Sequence, residues 1–108
     1  MTKIQLFEPE LQERAAVFKV LSHPARLSIL KYLAEAEVCI SGDISEELPL
    51  SRTTVHQHLA ELKKLDLIKG EITGVKTNYC LNTEKIRAIK ESLNAFLTDI
   101  DCCTNNNC

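Results

Sequence analysis

Three features of this 108-residue sequence predict a small, mainly α-helical domain of winged helix-turn-helix type. Apolar residues recur at helical spacing through most of the chain. Two of the helical segments are joined by a break of only three residues around Pro49. Two short β segments then precede a last, strongly amphipathic helix. The predicted order is α-α-α-α-β-β-α, with a single domain over 1–100 and a cysteine-rich tail over 101–108.

Leu11, Ala15, Phe18 and Leu21 place a first helix at about 8–21. Ser22-His23-Pro24 interrupts it, and Pro24 suits the first turn of a second helix because its missing N–H has no helical partner there anyway. That helix covers about 24–35, with Leu27, Leu30 and Leu33 on one face. Ser41 is a candidate N-cap for a short third helix, with Asp43 near its positive end and Ile44 and Leu48 inside. Ser51 is a second candidate cap. The fourth helix runs from there to about Leu65 and buries Val55, Leu59 and Leu62. Leu67–Ile72 and Lys76–Leu81 read as strands around a Thr73-Gly74-Val75 turn. Thr83 and Glu84 open a fifth helix whose stripe is Ile86, Ile89, Leu93, Phe96, Leu97 and Ile100.

Hydrophobic residues at 44% exclude wholesale disorder. No apolar run reaches the roughly 18 residues of a membrane span. Met1–Gln5 lacks an apolar stretch after a basic start, so a signal peptide is not expected and a cytoplasmic location is. The net charge is −2, but its distribution is uneven. Residues 51–76 carry Arg52, Lys63, Lys64, Lys69 and Lys76 against Glu61, Asp66 and Glu71. A basic window in an acidic chain points to a face for phosphates.

The fourth helix presents Ser51, Arg52, Thr53, Thr54, His56 and Gln57 opposite its apolar stripe. Short hydrogen-bonding side chains near a helix N-terminus are the base-reading part of a helix-turn-helix. Gln57 suits adenine, and Thr53 or Thr54 suits a thymine methyl or a phosphate. Arg52, Lys63 and Lys64 are expected to hold the DNA backbone, with Lys76, Thr77 and Asn78 reaching it from the hairpin. His56 and His58 are two apart, not the three or four of a helical zinc pair, and are expected to be exposed polar residues. The sequence has neither a nucleophile–base–orienter set nor a Gly-rich phosphate loop, so no enzyme is expected.

Val20-Leu21-Ser22-His23-Pro24-Ala25-Arg26-Leu27-Ser28-Ile29-Leu30 and Leu50-Ser51-Arg52-Thr53-Thr54-Val55-His56-Gln57-His58-Leu59-Ala60-Glu61-Leu62 resemble the ArsR/SmtB family of metal-responsive repressors. The likeness extends over about residues 8–100. It implies a homodimer, often built on the first and last helices. It also implies double-stranded operator DNA as partner, with no cofactor needed for binding and release by an effector ion. Arsenic-sensing members carry Cys-Val-Cys-Asp at the third helix. Here the segment is Val38-Cys39-Ile40-Ser41-Gly42-Asp43, so Ser41 replaces the second thiol. The zinc site that other members place on the last helix needs histidine, and this last helix has none.

Five cysteines, an odd number, preclude a complete internal disulfide set. Cys80 reads as a small strand residue, and Cys39 as core filler or an auxiliary ligand. Cys102, Cys103 and Cys108 put three thiols on a tail without aliphatic or aromatic residues, expected to be mobile when empty. Soft ions prefer thiolates, and arsenite takes three sulfurs in a trigonal pyramid. The tail resembles that of arsenic-responsive members with cysteines after the last helix. The expected function is a repressor released from DNA by arsenite or antimonite bound at Cys102, Cys103 and Cys108. Zinc, cadmium or thiol oxidation as the effector, and a thiol-based metal-transfer protein, stay open as alternatives.

Overall fold

The computed structural model describes residues 6–36, 39–41, 44, 48–71 and 78–101. Four helices are present: α1 (Pro9–Leu21), α2 (Pro24–Ala36), α3 (Arg52–Lys64) and α4 (Thr83–Ile100). Three short strands accompany them: β1 (Ile40–Ser41), β2 (Ile68–Glu71) and β3 (Asn78–Leu81). The sheet is antiparallel with β3 in the middle.

The expected winged arrangement is present, with two corrections. Ser41 pairs with Asn78 as part of β1, an element not expected from the sequence. Two residues are too few for alternation to show. Most of the expected third helix falls outside the described residues, although Ile44 is buried as foreseen. The hairpin strands are seen over Ile68–Glu71 and Asn78–Leu81, and 72–77 lie outside the described residues. The second correction concerns α2, whose inner face is Ala25, Ile29 and Leu33, while Leu27 is half exposed.

The core gathers Ile29 and Leu33 of α2, Val55, Leu59 and Leu62 of α3, Leu67, and Ile68 and Tyr79 of the sheet. Directly opposed residues of an antiparallel pair share a face. Ile68, Gly70, Tyr79 and Leu81 therefore form the inner face, and Lys69, Cys80 and Asn78 the outer one. α3 ends in a Schellman motif. Asp66 adopts the left-handed conformation (φ 59°), its N–H reaches the Lys63 carbonyl at 2.9 Å, and Leu67 N–H reaches the Leu62 carbonyl at 3.1 Å. The buried pair Leu62 and Leu67 completes it. Asn82 caps α4 through its side chain, while its N–H donates to the Leu67 carbonyl at 2.9 Å. α3, β2 and α4 thus meet at one corner.

Gly70 is needed where it stands. Its φ is 114°, and a Cβ there would overlap the Asn78 carbonyl oxygen of the neighbouring strand. Gly70→Ala is expected to destabilise the domain by about 2 kcal/mol or more. A denaturant midpoint measured beside Lys69→Ala, at an exposed position of the same strand, checks this.

Candidate nucleic-acid interface

The reading helix begins with the cap expected at Ser51, a residue the sequence also offers as a DNA contact. Ser51 Oγ accepts from Thr54 N–H at 3.2 Å and donates to Thr54 Oγ1 at 2.9 Å. Both hydroxyls are thereby engaged in starting α3. Arg52, Thr53 and Gln57 are exposed on the first turns, and His56 is half-buried beside them. These four side chains form the outward patch at the helix N-terminus. The sequence places Ser51 and Thr54 in the same group; their geometry gives them a structural task at its edge.

Lys63 and Lys64 close the helix at its other end. Lys63 Nζ donates to the Gly70 carbonyl at 2.6 Å and so ties α3 to β2. Lys64 pairs with Glu61 at 3.0 Å on the surface. That bond, with the Lys64 charge, holds the Glu61 carboxyl below its ordinary range. Both cations stand where positive charge complements the negative end of the helix dipole. Lys76 lies outside the described residues, as do Cys102, Cys103 and Cys108.

His58 corrects the sequence reading. It is 8% exposed, and it lies on the buried stripe with Val55, Leu59 and Leu62. Arg26 of α2 donates from Nε to His58 Nδ1 at 3.1 Å and from a terminal nitrogen to the Val20 carbonyl at 3.1 Å. The His58 ring lies 4.4 Å from that of His23, whose Nδ1 accepts the Ala25 N–H at the start of α2. A residue that accepts from a guanidinium at Nδ1 must carry its proton on Nε2. Burial, then the neighbouring His23 and Arg26 charges, push the His58 pKa below the ordinary histidine value. The group His23, Arg26 and His58 joins the start of α2 to the middle of the reading helix.

The first and last helices have a different surface. Arg14 Nε donates to Ser92 Oγ at 3.1 Å, its guanidinium lies over the Phe96 ring, and Phe18 meets Phe96 edge-on at 6.3 Å. Leu11, Phe18, Leu97 and Ile100 stay exposed, and α4 buries none of its 18 residues. The apolar stripes foreseen on both helices exist; Ile86 and Ile89 pack on the core, while Leu11, Phe18, Leu97 and Ile100 are left exposed among the described residues.

A helix-turn-helix domain model matches residues 21–71, from the end of α1 through β2. The fold is similar to an ArsR-like transcriptional regulator from Rhodococcus sp. RHA1, with a TM-score of 0.66 over 89% of this chain and 90% of that one at 22% identity. The arsenical resistance operon repressor of Staphylococcus xylosus is 32% identical over 89% of this chain and 91% of its own length. This chain belongs to the ArsR/SmtB family. The HTH-type transcriptional regulator YgaV of Escherichia coli (strain K12) is also similar, 29% identical over 86% of this chain and 94% of its own. ArsR/SmtB proteins are DNA-binding transcriptional regulators, in keeping with the outward polar patch on α3. No helix among the described residues is long and apolar enough to cross a membrane.

The sign of the His58 shift fixes a pH dependence. Its folded pKa lies below the value of about 6.5 that the unfolded chain shows. Between those two values the unfolded state binds more protons, so stability is present above about pH 6.5 and falls as acid is added through the window below it. Melting temperatures at pH 7.5 and 5.5 should show this loss in the parent chain and a smaller one in His58→Gln. An equal loss in both would place the effect elsewhere.

Proposed function

We propose that this chain is a dimeric transcriptional repressor that binds operator DNA through α3 and leaves it when a thiophilic metalloid, arsenite or antimonite, binds the tail. The observation that carries the DNA reading is the capped N-terminus of α3 with Arg52, Thr53 and Gln57 exposed beside it. A second copy covering Leu11, Phe18, Leu97 and Ile100 accounts for the α1–α4 face, since apolar patches of this kind rarely face water. Two α3 helices then enter successive major grooves about 34 Å apart. Lys63, Lys64 and Lys76 are the residues assigned to the phosphate backbone, contacts that fix register.

The effector reading rests on chemistry. Cys102, Cys103 and Cys108 are three thiols directly after Asp101, where α4 ends. Three is the number a pyramidal arsenic(III) takes. An ion held there orders the tail against the far end of α4, on the helix that carries the uncovered stripe. Coupling through a dimer interface of about 1–3 kcal/mol changes operator affinity by roughly 5–150-fold. The similarity to an arsenical resistance operon repressor supports this choice of ion.

Gln57→Ala with Arg52→Ala should weaken binding to a selected duplex about tenfold or more while leaving the melting temperature within about 2 °C, as checked by fluorescence anisotropy and thermal unfolding. Arsenite is expected to release the parent chain from that duplex. The triple variant Cys102→Ser, Cys103→Ser, Cys108→Ser should stay bound at the same arsenite concentration. Titration of the parent chain with arsenite, antimonite, cadmium and zinc identifies the ion, and unchanged release of the triple variant by arsenite would sink the tail site.

A further inference from the structure

Cys39 and Cys80 form a disulfide across 41 residues of sequence. Neither was expected to have a cysteine partner. Cys39 directly precedes β1, and Cys80 is central in β3. The register places Cys80 opposite Lys69 on the outer face of the sheet, away from Tyr79 and Ile68. Cys39 is exposed and Cys80 half-buried. An open cleft of about 360 Å³ lies against the pair, lined by Leu33, Ala34, Lys69, Leu81 and Thr83. The bond is therefore reachable from solvent, with an ammonium lining the same cleft.

We propose that Cys39 and Cys80 are a reversible thiol–disulfide site whose substrates are low-molecular-weight thiols and disulfides of the glutathione type. The exposed Cys39 thiolate attacks glutathione disulfide, whose S–S bond breaks and releases one glutathione as thiol. The Cys80 thiolate then attacks the Cys39 sulfur of the mixed disulfide and releases the second. Two protein thiols and one glutathione disulfide become one protein disulfide and two glutathiones, and excess glutathione reverses both steps. Lys69 supplies positive charge beside the attacking thiolates.

The place of the bond gives it a consequence. Among the described residues β1 and β3 are joined at two paired positions, Ile40 with Tyr79 and Ser41 with Asn78. The disulfide adds a covalent link directly beside this ladder. With it, the segment after α2 is fastened to the strand that carries the hairpin back from 72–77 to α4. The hairpin base then has two states, tethered and free, beside the helix that reads DNA. The operator part of this inference rests on the proposed DNA reading; the thiol chemistry does not.

The test uses the full chain in glutathione buffers of graded redox ratio. Free thiols are alkylated and assigned by peptide mass spectrometry. Cys39 and Cys80 should lose reactivity together, in a single two-electron step, in the parent chain and in Cys102→Ser, Cys103→Ser, Cys108→Ser alike. Reduction should lower the melting temperature by about 5 °C or more in both, and leave Cys39→Ser and Cys80→Ser unmoved. Affinity for a duplex selected from a random library should differ at least threefold between the two redox states, and not at all in Cys39→Ser. Cys39 pairing instead with a tail cysteine, or Cys39 and Cys80 staying alkylatable in the most oxidising buffer, overturns the site. Equal affinity in both states overturns its link to DNA. If no duplex is selected under any condition, the DNA reading fails while the alkylation result still decides the thiol site.

Discussion

Val55, Leu59 and Leu62 are all but fully buried, and they seat α3 on Ile29 and Leu33 of α2. Each such aliphatic side chain contributes roughly 1.5–3 kcal/mol by leaving water. Because this stripe takes one face of α3, the opposite face is free to carry polar groups with no stability cost. The outward direction of Arg52, Thr53 and Gln57 therefore depends on the packing of Val55, Leu59 and Leu62 on the same helix. The Schellman turn at Asp66 and the Lys63 bond to Gly70 then fix where the sheet departs from that helix. Displacing the stripe moves the reading face, the corner and the hairpin together.

The fourth member of the stripe is polar, and this adds direction to a contact that is otherwise only apolar. Val55, His58, Leu59 and Leu62 are spaced i, i+3, i+4, i+7, so His58 must point inward. A buried imidazole needs a partner, and Arg26 supplies one while also holding the Val20 carbonyl at the end of α1. Hydrogen bonds are angular where dispersion is not. The Arg26 fork therefore sets the rotation of α3 about its own axis relative to α1 and α2, which decides which side chains a DNA groove meets.

Much of this was legible in the sequence, for physical reasons that differ by element. α1, α2, α3 and α4 announced themselves because an apolar stripe over 13 to 18 residues repeats often enough to be read. His58 was readable too: its spacing from Val55 and Leu62 puts it on the stripe, but residue type was weighed above position. Ser51 read both as a cap and as a DNA contact, and Thr54 as a DNA contact alone, because capping and base reading draw on the same residues at the same end of a helix. β1 gave no signal, since two residues cannot alternate. The Cys39–Cys80 pairing gave none either, because it follows from the register of β1 on β3, a contact between segments about forty residues apart.

The exposed stripe on α1 and α4 was foreseen as a pattern, yet a pattern does not say what covers it. What the geometry adds is a route from that stripe to the reading face. α4 begins at Asn82, whose N–H is bonded to the Leu67 carbonyl, and Leu67 closes the Schellman turn of α3. A rigid helix of 18 residues spans about 27 Å at 1.5 Å per residue. In the proposed dimer, a small rotation of α4 against its partner is thus delivered at its first turn as a shift of the residues that terminate α3. The tail thiols follow the far end of this lever, and the Cys39–Cys80 bond closes the sheet from which it starts. α4 and the sheet both join α3 at the same corner, Leu62, Asp66 and Leu67, away from the exposed Arg52, Thr53 and Gln57.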